Sequence, residues 1–185
     1  MRKFIEQFLF LLYDIKVSLG RNPLRIFLFL LSRSFAGIFI YRLERAFYLI
    51  LGRSYSFFRI FILPITILSY WYSNCDIHYQ AQIGKGLKIL HPGLGIVISG
   101  RARIGDHLTL VGGNCIGINN KKSAPFILGN RIEMGVNSAI IGPIELGNNI
   151  IIGANSCVVK SYKKNKLILV GVPAFPLQVK ENSPV

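Results

Sequence analysis

Apolar residues in the second half of this chain recur every six positions. Ile77, Ile83 and Ile89 share one phase, as do Ile98, Ile104, Leu110 and Ile116. A third run comprises Leu128, Met134, Ile140, Leu146, Ile152 and Val158. Glycine often follows the apolar residue, as at Gly84, Gly105, Gly129 and Gly147. A period of six fits neither a 3.6-residue helix nor the alternation of a hairpin strand. It predicts a parallel β-helix in which each hexapeptide makes one short strand and one turn. Three hexapeptides close a triangular coil, and about five coils fit between Ile77 and Leu169. The apolar side chains point into the prism, and glycine is expected to supply turn conformations that other residues resist. Each coil covers the apolar interior of the next, so stability accrues between neighbours.

The beat breaks twice. Between Ile89 and Ile98 it slips by three residues, and the slip holds His91, Pro92, Gly93, Leu94 and Gly95. Between Ile116 and Leu128 the phase survives, but the apolar position falls on Lys122, in the polar segment INNKKSAPF. That segment is expected to loop outward. Irregular segments on a regular frame are where function tends to sit.

Residues 1–75 follow another rhythm and predict amphipathic helices rich in Phe, Leu, Ile and Arg. Arg21, Arg25, Arg33, Arg42, Arg45, Arg53 and Arg59 interrupt their apolar runs. No apolar run reaches the roughly 20 residues that span a bilayer. The nearest approach, Ile60–Asn74, is shorter and carries Pro64. Glu6 and Asp14 interrupt the first apolar stretch, which argues against a secretory signal. The expected organisation is a helical region, 1–75, that lies on an anionic membrane with arginines snorkelling and Tyr70, Trp71 and Tyr72 near the headgroups. A β-helix domain, 76–185, follows. The alternative for the helices is packing on the β-helix or on another subunit.

Charge sharpens this picture. The chain of 185 residues carries a net charge of +14 with 51% hydrophobic residues, a combination too apolar for a disordered basic tail. In residues 1–75, ten Lys/Arg stand against three Asp/Glu. The surplus implies an anionic partner. No nucleic-acid recognition motif is present, so no nucleic-acid partner is expected. The three cysteines, Cys75, Cys115 and Cys157, are widely spaced and have neither disulfide-framework nor zinc-site spacing; they are expected to be reduced, in the cytoplasm.

His91 is the candidate for chemistry. A histidine in a dry prism has little use, so the kink is expected to turn it toward a cleft. Asp76 lies fifteen residues earlier, a little under one coil, where a carboxylate can hold one imidazole nitrogen and leave the other to take a proton. Spacing alone leaves open a surface histidine beside an incidental aspartate. His78 follows Asp76 by two residues and is a secondary candidate, whereas His107 falls at a turn expected to face solvent.

The stretches DIHYQAQIGKGLKILHPGLGIVIS and LGNNIIIGANSCVVKS, with LILVGVPA, resemble the serine O-acetyltransferase family of hexapeptide-repeat acyltransferases over roughly residues 74–176. The resemblance implies a mainly β fold: a left-handed parallel β-helix, the exception to right-handed crossovers. It implies a homotrimer with each active site between two prisms and acetyl-CoA as donor, without a metal. It makes His91 the catalytic base and Asp76 its orienting carboxylate. It places Gly117, Val136 and Ala154 along the pantetheine channel, and Gly171, Val172 and Pro173 near the CoA. Lys160, Lys163 and Lys164 are added here as candidates for the CoA phosphates; a solvated basic turn is the plainer reading of each.

The chain departs from that family where the acceptor is held. Leu90 replaces the aspartate before the catalytic histidine, and Ala124 replaces the histidine of an RHP-type loop. Leu90, Asn119 and Ala124 are therefore the acceptor-side candidates. The short basic N-terminal region and the loop ending in Pro125 resemble the capsule and exopolysaccharide O-acetyltransferases of the colanic-acid type. That resemblance implies a sugar acceptor, possibly carried on membrane lipid, and a location at the inner face of the cell membrane. Serine acetylation is the alternative, a non-catalytic β-helix scaffold a further one. A zinc site is disfavoured because His78, His91 and His107 lack close paired spacing.

Overall fold

The computed structural model describes residues 2–20, 23–119 and 126–177. Among these residues, four α-helices precede fifteen short strands, numbered in chain order. The helices are α1 (Arg2–Leu19), α2 (Ile26–Leu30), α3 (Arg33–Leu51) and α4 (Tyr55–Ser73). The strands form the three faces of a left-handed β-helix. On the first face lie β1 (Cys75–Ile77), β4 (Ile96–Ile98), β7 (Asn114–Ile118), β10 (Ala139–Gly142) and β13 (Cys157–Val158). On the second lie β2 (Gln82–Ile83), β5 (Arg103–Ile104), β8 (Ile127–Leu128) and β11 (Glu145–Leu146). On the third lie β3 (Lys88–Ile89), β6 (Thr109–Leu110), β9 (Ile132–Met134), β12 (Ile150–Ile152) and β14 (Leu167–Val170), with β15 (Phe175–Pro176) folding back antiparallel.

The six-residue beat is the register of this stack. Ile77, Ile98, Ile116, Ile140 and Val158 sit directly above one another, as do Ile89, Leu110, Met134, Ile152 and Leu169. All are buried, and burying each such side chain is worth about 1.5–3 kcal/mol. Four coils are complete. In the fifth, the second face is reduced to a single bridge between Leu146 and Tyr162.

The glycines work differently from the expectation. Gly105 and Gly147 have ordinary backbone angles; the left-handed conformation falls two residues later in the second-to-third-face turn, on His107 and Asn149. A Cβ on Gly105 would meet Asn130 Oδ1, and one on Gly147 would meet Asn165 Oδ1. Those oxygens belong to a ladder. Asp106 accepts from the Lys85 N–H, Asn130 from that of Asp106, Asn148 from that of Asn130, and Asn165 from that of Asn148. Each turn thereby satisfies a backbone donor of the coil before it. The glycines leave room for the ladder.

The open top of the prism is covered by α1 and α3. Leu11, Ile38 and Tyr41 join the apolar core, and the Tyr41 hydroxyl donates to the Ala81 carbonyl at 3.0 Å. Arg42, 1% exposed, lies at the centre of this cap. It donates to Asp14 Oδ2 at 2.9 Å and to the carbonyls of Ile83 and Gly84 at 2.8 and 2.6 Å. Asp14 in turn accepts from the N–H groups of Gly86 and Leu87 at 2.6 and 2.9 Å. A second cluster joins α3 to α4: Glu44 accepts from Arg59, Tyr55 and Tyr70. Arg42 and Arg45 are therefore buried and Arg59 is paired, where snorkelling arginines were expected.

The other helical faces are uncovered. Phe57, Phe61, Ile65, Leu68 and Trp71 on α4 are 61–81% exposed. Leu24, Phe27, Leu28 and Leu31 around α2 are 73–86% exposed, and Tyr72 of α4 donates to the Leu31 carbonyl, so the two apolar surfaces adjoin. By length and composition, one helical stretch among the described residues, Arg33–Ser73, is apolar enough to cross a membrane, which the interrupted sequence runs did not suggest.

Replacing Arg42 with Met leaves Asp14 buried without a counter-charge. Urea denaturation is expected to show a loss of about 3–5 kcal/mol. Lys163→Ala, which breaks an ion pair to Glu145 at an exposed turn, is expected to change stability by less than about 1 kcal/mol.

Candidate active site

The His91 kink is built at the corner between the third and first faces. After β3, Leu90 is 41% exposed and His91 begins a short 3-10 turn over Pro92–Leu94. Gly95 takes φ +88°, which a residue with a Cβ resists, and returns the chain to β4. The kink is pinned from both sides. The His91 N–H donates to the Val111 carbonyl of the next coil at 2.8 Å. Asn74, the left-handed cap of α4, donates from its side chain to the Gly93 carbonyl at 3.0 Å. Pro92 is buried, and His91 is exposed and lines a cleft.

That cleft has a volume of about 390 Å³, and its walls include Ser32, Arg33, Leu90 and His91. Its helical side is the start of α3, where the Ser32 hydroxyl accepts from the Phe35 N–H. An adjoining cavity of about 230 Å³ shares Ser32, Ser34 and Leu90 and adds Arg25 and Lys88. Of these helical residues the sequence singled out Arg25 and Arg33 alone, and as membrane-facing cations. A capping signal, SRS ahead of an apolar helical run, marks the start of α3.

Below His91 the same corner descends the prism. Its rungs are backbone hydrogen bonds from Val111 to Met134, Gly135 to Ile152, and Gly153 to Leu169. Val136 and Ala154 lie on it, with the Asn155 N–H donating to the Val136 carbonyl. At its foot Gly171, Val172 and Pro173 turn the chain back; Gly171 accepts from the Cys157 N–H, and the buried Ala174 donates to the Cys157 carbonyl. Gly117 lies toward the far end of β7 on the first face, where a Cβ would stand 3.2 Å from Cys115 Sγ and 3.4 Å from Ile141.

Other expected residues fall elsewhere. Asp76 is exposed on β1, beside Val97. Among the described residues no hydrogen bond joins it to His91; its charge acts instead on His78. His78 Nδ1 accepts from the Gln80 N–H at 3.1 Å, and its ring stacks on Tyr79 at 4.5 Å. Partial burial, and then the charge of Arg59, hold His78 below its ordinary value, against Asp76 and Glu44. Lys163 pairs with Glu145 and, with Lys164, has its carbonyl by Gly147, below the second face and away from the His91 edge. Lys160 instead lies over the Phe175 ring at 5.9 Å. Asn119 is exposed, with its N–H on the Gly142 carbonyl. Ala124 lies outside the described residues. His107 is half-buried against Tyr13 and Gly86 rather than facing solvent. Burial pushes the Cys75 thiol up to about 12, and burial with the neighbouring Cys157 raises that of Cys115, so both are poor nucleophiles.

No family model and no curated protein matches this chain. Solved structures do. The serine acetyltransferase of Neisseria gonorrhoeae superposes with a TM-score of 0.78 at 26% identity, over 94% of this chain and 67% of that one. The serine acetyltransferase of Brucella abortus in complex with coenzyme A gives 0.77 at 26% identity, over 94% and 68%. The Neisseria enzyme in complex with serine gives 0.78 at 25% identity, over 95% and 72%. The fold is thus that of the left-handed β-helix acyltransferases. The expected closeness to capsule and exopolysaccharide enzymes is not shown by these neighbours.

His78 generates a pH prediction. Its folded value lies below 6.5, so below pH 6.5 the unfolded chain binds the proton more readily. The stabilising contribution is complete above pH 6.5 and is lost as the pH falls. Thermal melts are expected to fall less on acidification from about pH 7.5 to about 5.5 in His78→Gln than in the wild type.

Proposed function

We propose that this protein is an acyl-CoA-dependent O-acetyltransferase that uses His91 as general base and acetyl-CoA as donor. One observation carries the reading. An exposed histidine, on a kink pinned by the next coil and by the cap of α4, heads an edge that descends to the closing Gly171–Pro173 turn, in a fold shared with a coenzyme A-bound neighbour. Ala154 keeps that edge low, which suits an extended pantetheine arm, with Val136, Gly171 and Pro173 along it and Gly117 on the adjoining first face. Of the three lysines, Lys160, beside the closing turn, is best placed for the CoA phosphates.

His91 takes the proton from the acceptor hydroxyl as its oxygen attacks the thioester carbonyl. The new C–O bond forms, the C–S bond breaks, and the imidazolium returns the proton to the departing thiolate. A backbone N–H at the edge holds the oxyanion. Asp76 is assigned to orienting His91 once the groove is filled. In the homotrimer we propose, the edge of one prism faces the next.

Two acceptors fit this chemistry. The neighbours are serine acetyltransferases, so serine fits the comparisons at least as well as a sugar. The cleft favours a sugar hydroxyl of a capsular or exopolysaccharide precursor. Leu90 stands beside His91, and among the described residues no Asp or Glu lines either cavity, so an amino acid's ammonium group would find no counter-charge there. The apolar faces of α2 and α4 support a location on the inner surface of the cell membrane.

Release of CoA thiol from acetyl-CoA is expected with the true acceptor and is expected to fall by about 10²–10⁴-fold in His91→Ala. Release with L-serine alone would select the serine reading; release with glycan acceptors alone would select the sugar. Anionic vesicles are expected to sediment the wild-type chain and to retain less of a Phe61→Ser/Trp71→Ser variant. Equal retention would place α4 against another subunit.

A further inference from the structure

The two cavities at His91 share one electrostatic character that the acetyl-transfer reading does not use. Arg33 lines the cleft of His91, and Arg25 and Lys88 line the adjoining cavity. Arg33 lies over the kink itself: a Cβ on Gly93 would stand 3.4 Å from its guanidinium. None of the three cations has an ion-pair or hydrogen-bond partner among the described residues, whereas Arg42, Arg45 and Arg59 are all engaged. Among the described residues, three cations and no acid line this concave surface, which focuses a positive potential where an acceptor must enter. The far wall is apolar, with Leu19, Leu28 and Phe29, and opens onto the exposed Leu24, Phe27 and Leu31 of the α2 region.

We infer that the acceptor is a phosphorylated sugar, and that Arg33, with Arg25 and Lys88, binds its phosphate while the reacting hydroxyl reaches His91. This assignment rests on the acetyl-transfer reading of the same site. Guanidinium groups pair with phosphate oxygens through two parallel N–H donors, which fixes orientation as well as charge. Arg33 is therefore a specificity residue: it sets which acceptor binds and leaves the donor side untouched. The phosphate has two possible sources, a lipid-linked sugar diphosphate or a free sugar phosphate, and the chemistry on the protein is the same for both.

The test reads binding without acetyl-CoA. Calorimetry on the full chain would compare inorganic diphosphate, glucose 1-phosphate, farnesyl diphosphate and L-serine as probes. Diphosphate is expected to bind, to weaken with added salt, and to lose about tenfold or more in Arg33→Gln. Arg33→Lys is expected to recover part of that loss, which a misfolded variant would not. Tighter binding of farnesyl diphosphate than of inorganic diphosphate assigns a lipid-linked acceptor; equal binding of the two assigns a soluble sugar phosphate. Absence of phosphate binding to the wild type, or binding indifferent to Arg33→Gln and Lys88→Gln, overturns the assignment. Phosphate binding without thiol release from acetyl-CoA under any acceptor overturns the transferase reading and leaves the groove standing.

Discussion

A β-helix has two ends, and each would expose an apolar cross-section to water. At the top of this molecule the constraint is met by a buried ion pair. Arg42 and Asp14 belong to different helices, and each also bonds to backbone of the first coil. Neither charge can leave without stranding the other, so the helices are bound to the coil as a unit. At the foot, the strand β15 turns back, and the Tyr162 hydroxyl bonds to the Ala174 carbonyl across the last coil. The kink that carries His91 is tied to the helices as well. Asn74, which holds it, caps the end of α4.

Periodicity carried the β-helix into view because each core position repeats at the register of the stack; a single error at Lys122 is outvoted by its neighbours. The kink was legible for the same reason, as an interruption of something regular. The roles of the glycines were misjudged because close approach and positive φ select the same residue. Only the stacking of Asp106, Asn130, Asn148 and Asn165 separates the two causes. Arg42 and Asp14 read as surface charges because they are separated by 27 intervening residues and nothing local marks their meeting. The helical wall of the cleft escaped notice for the same reason. Arg25 and Arg33 acquire meaning only when α2 and α3 are laid against Leu90.

In the site we propose, one frame divides labour. The donor side is assembled from repeats, on an edge whose rungs are backbone hydrogen bonds and whose side chains are small. The acceptor side is made from the helices, which obey no repeat. On that reading a change of acceptor calls for changes in helical residues, in Leu90 and in the loop after Asn119, with the stack left alone.

The edge below His91 has a further property. Its rungs are strand spacings of about 4.8 Å, and four of them separate the coil of His91 from that of Leu169, about 19 Å in all. The separation between the imidazole and the closing turn is thus a ruler graduated in whole coils. Loops and helices can drift by fractions of an ångström over evolutionary time, but this length changes only by adding or deleting an entire coil.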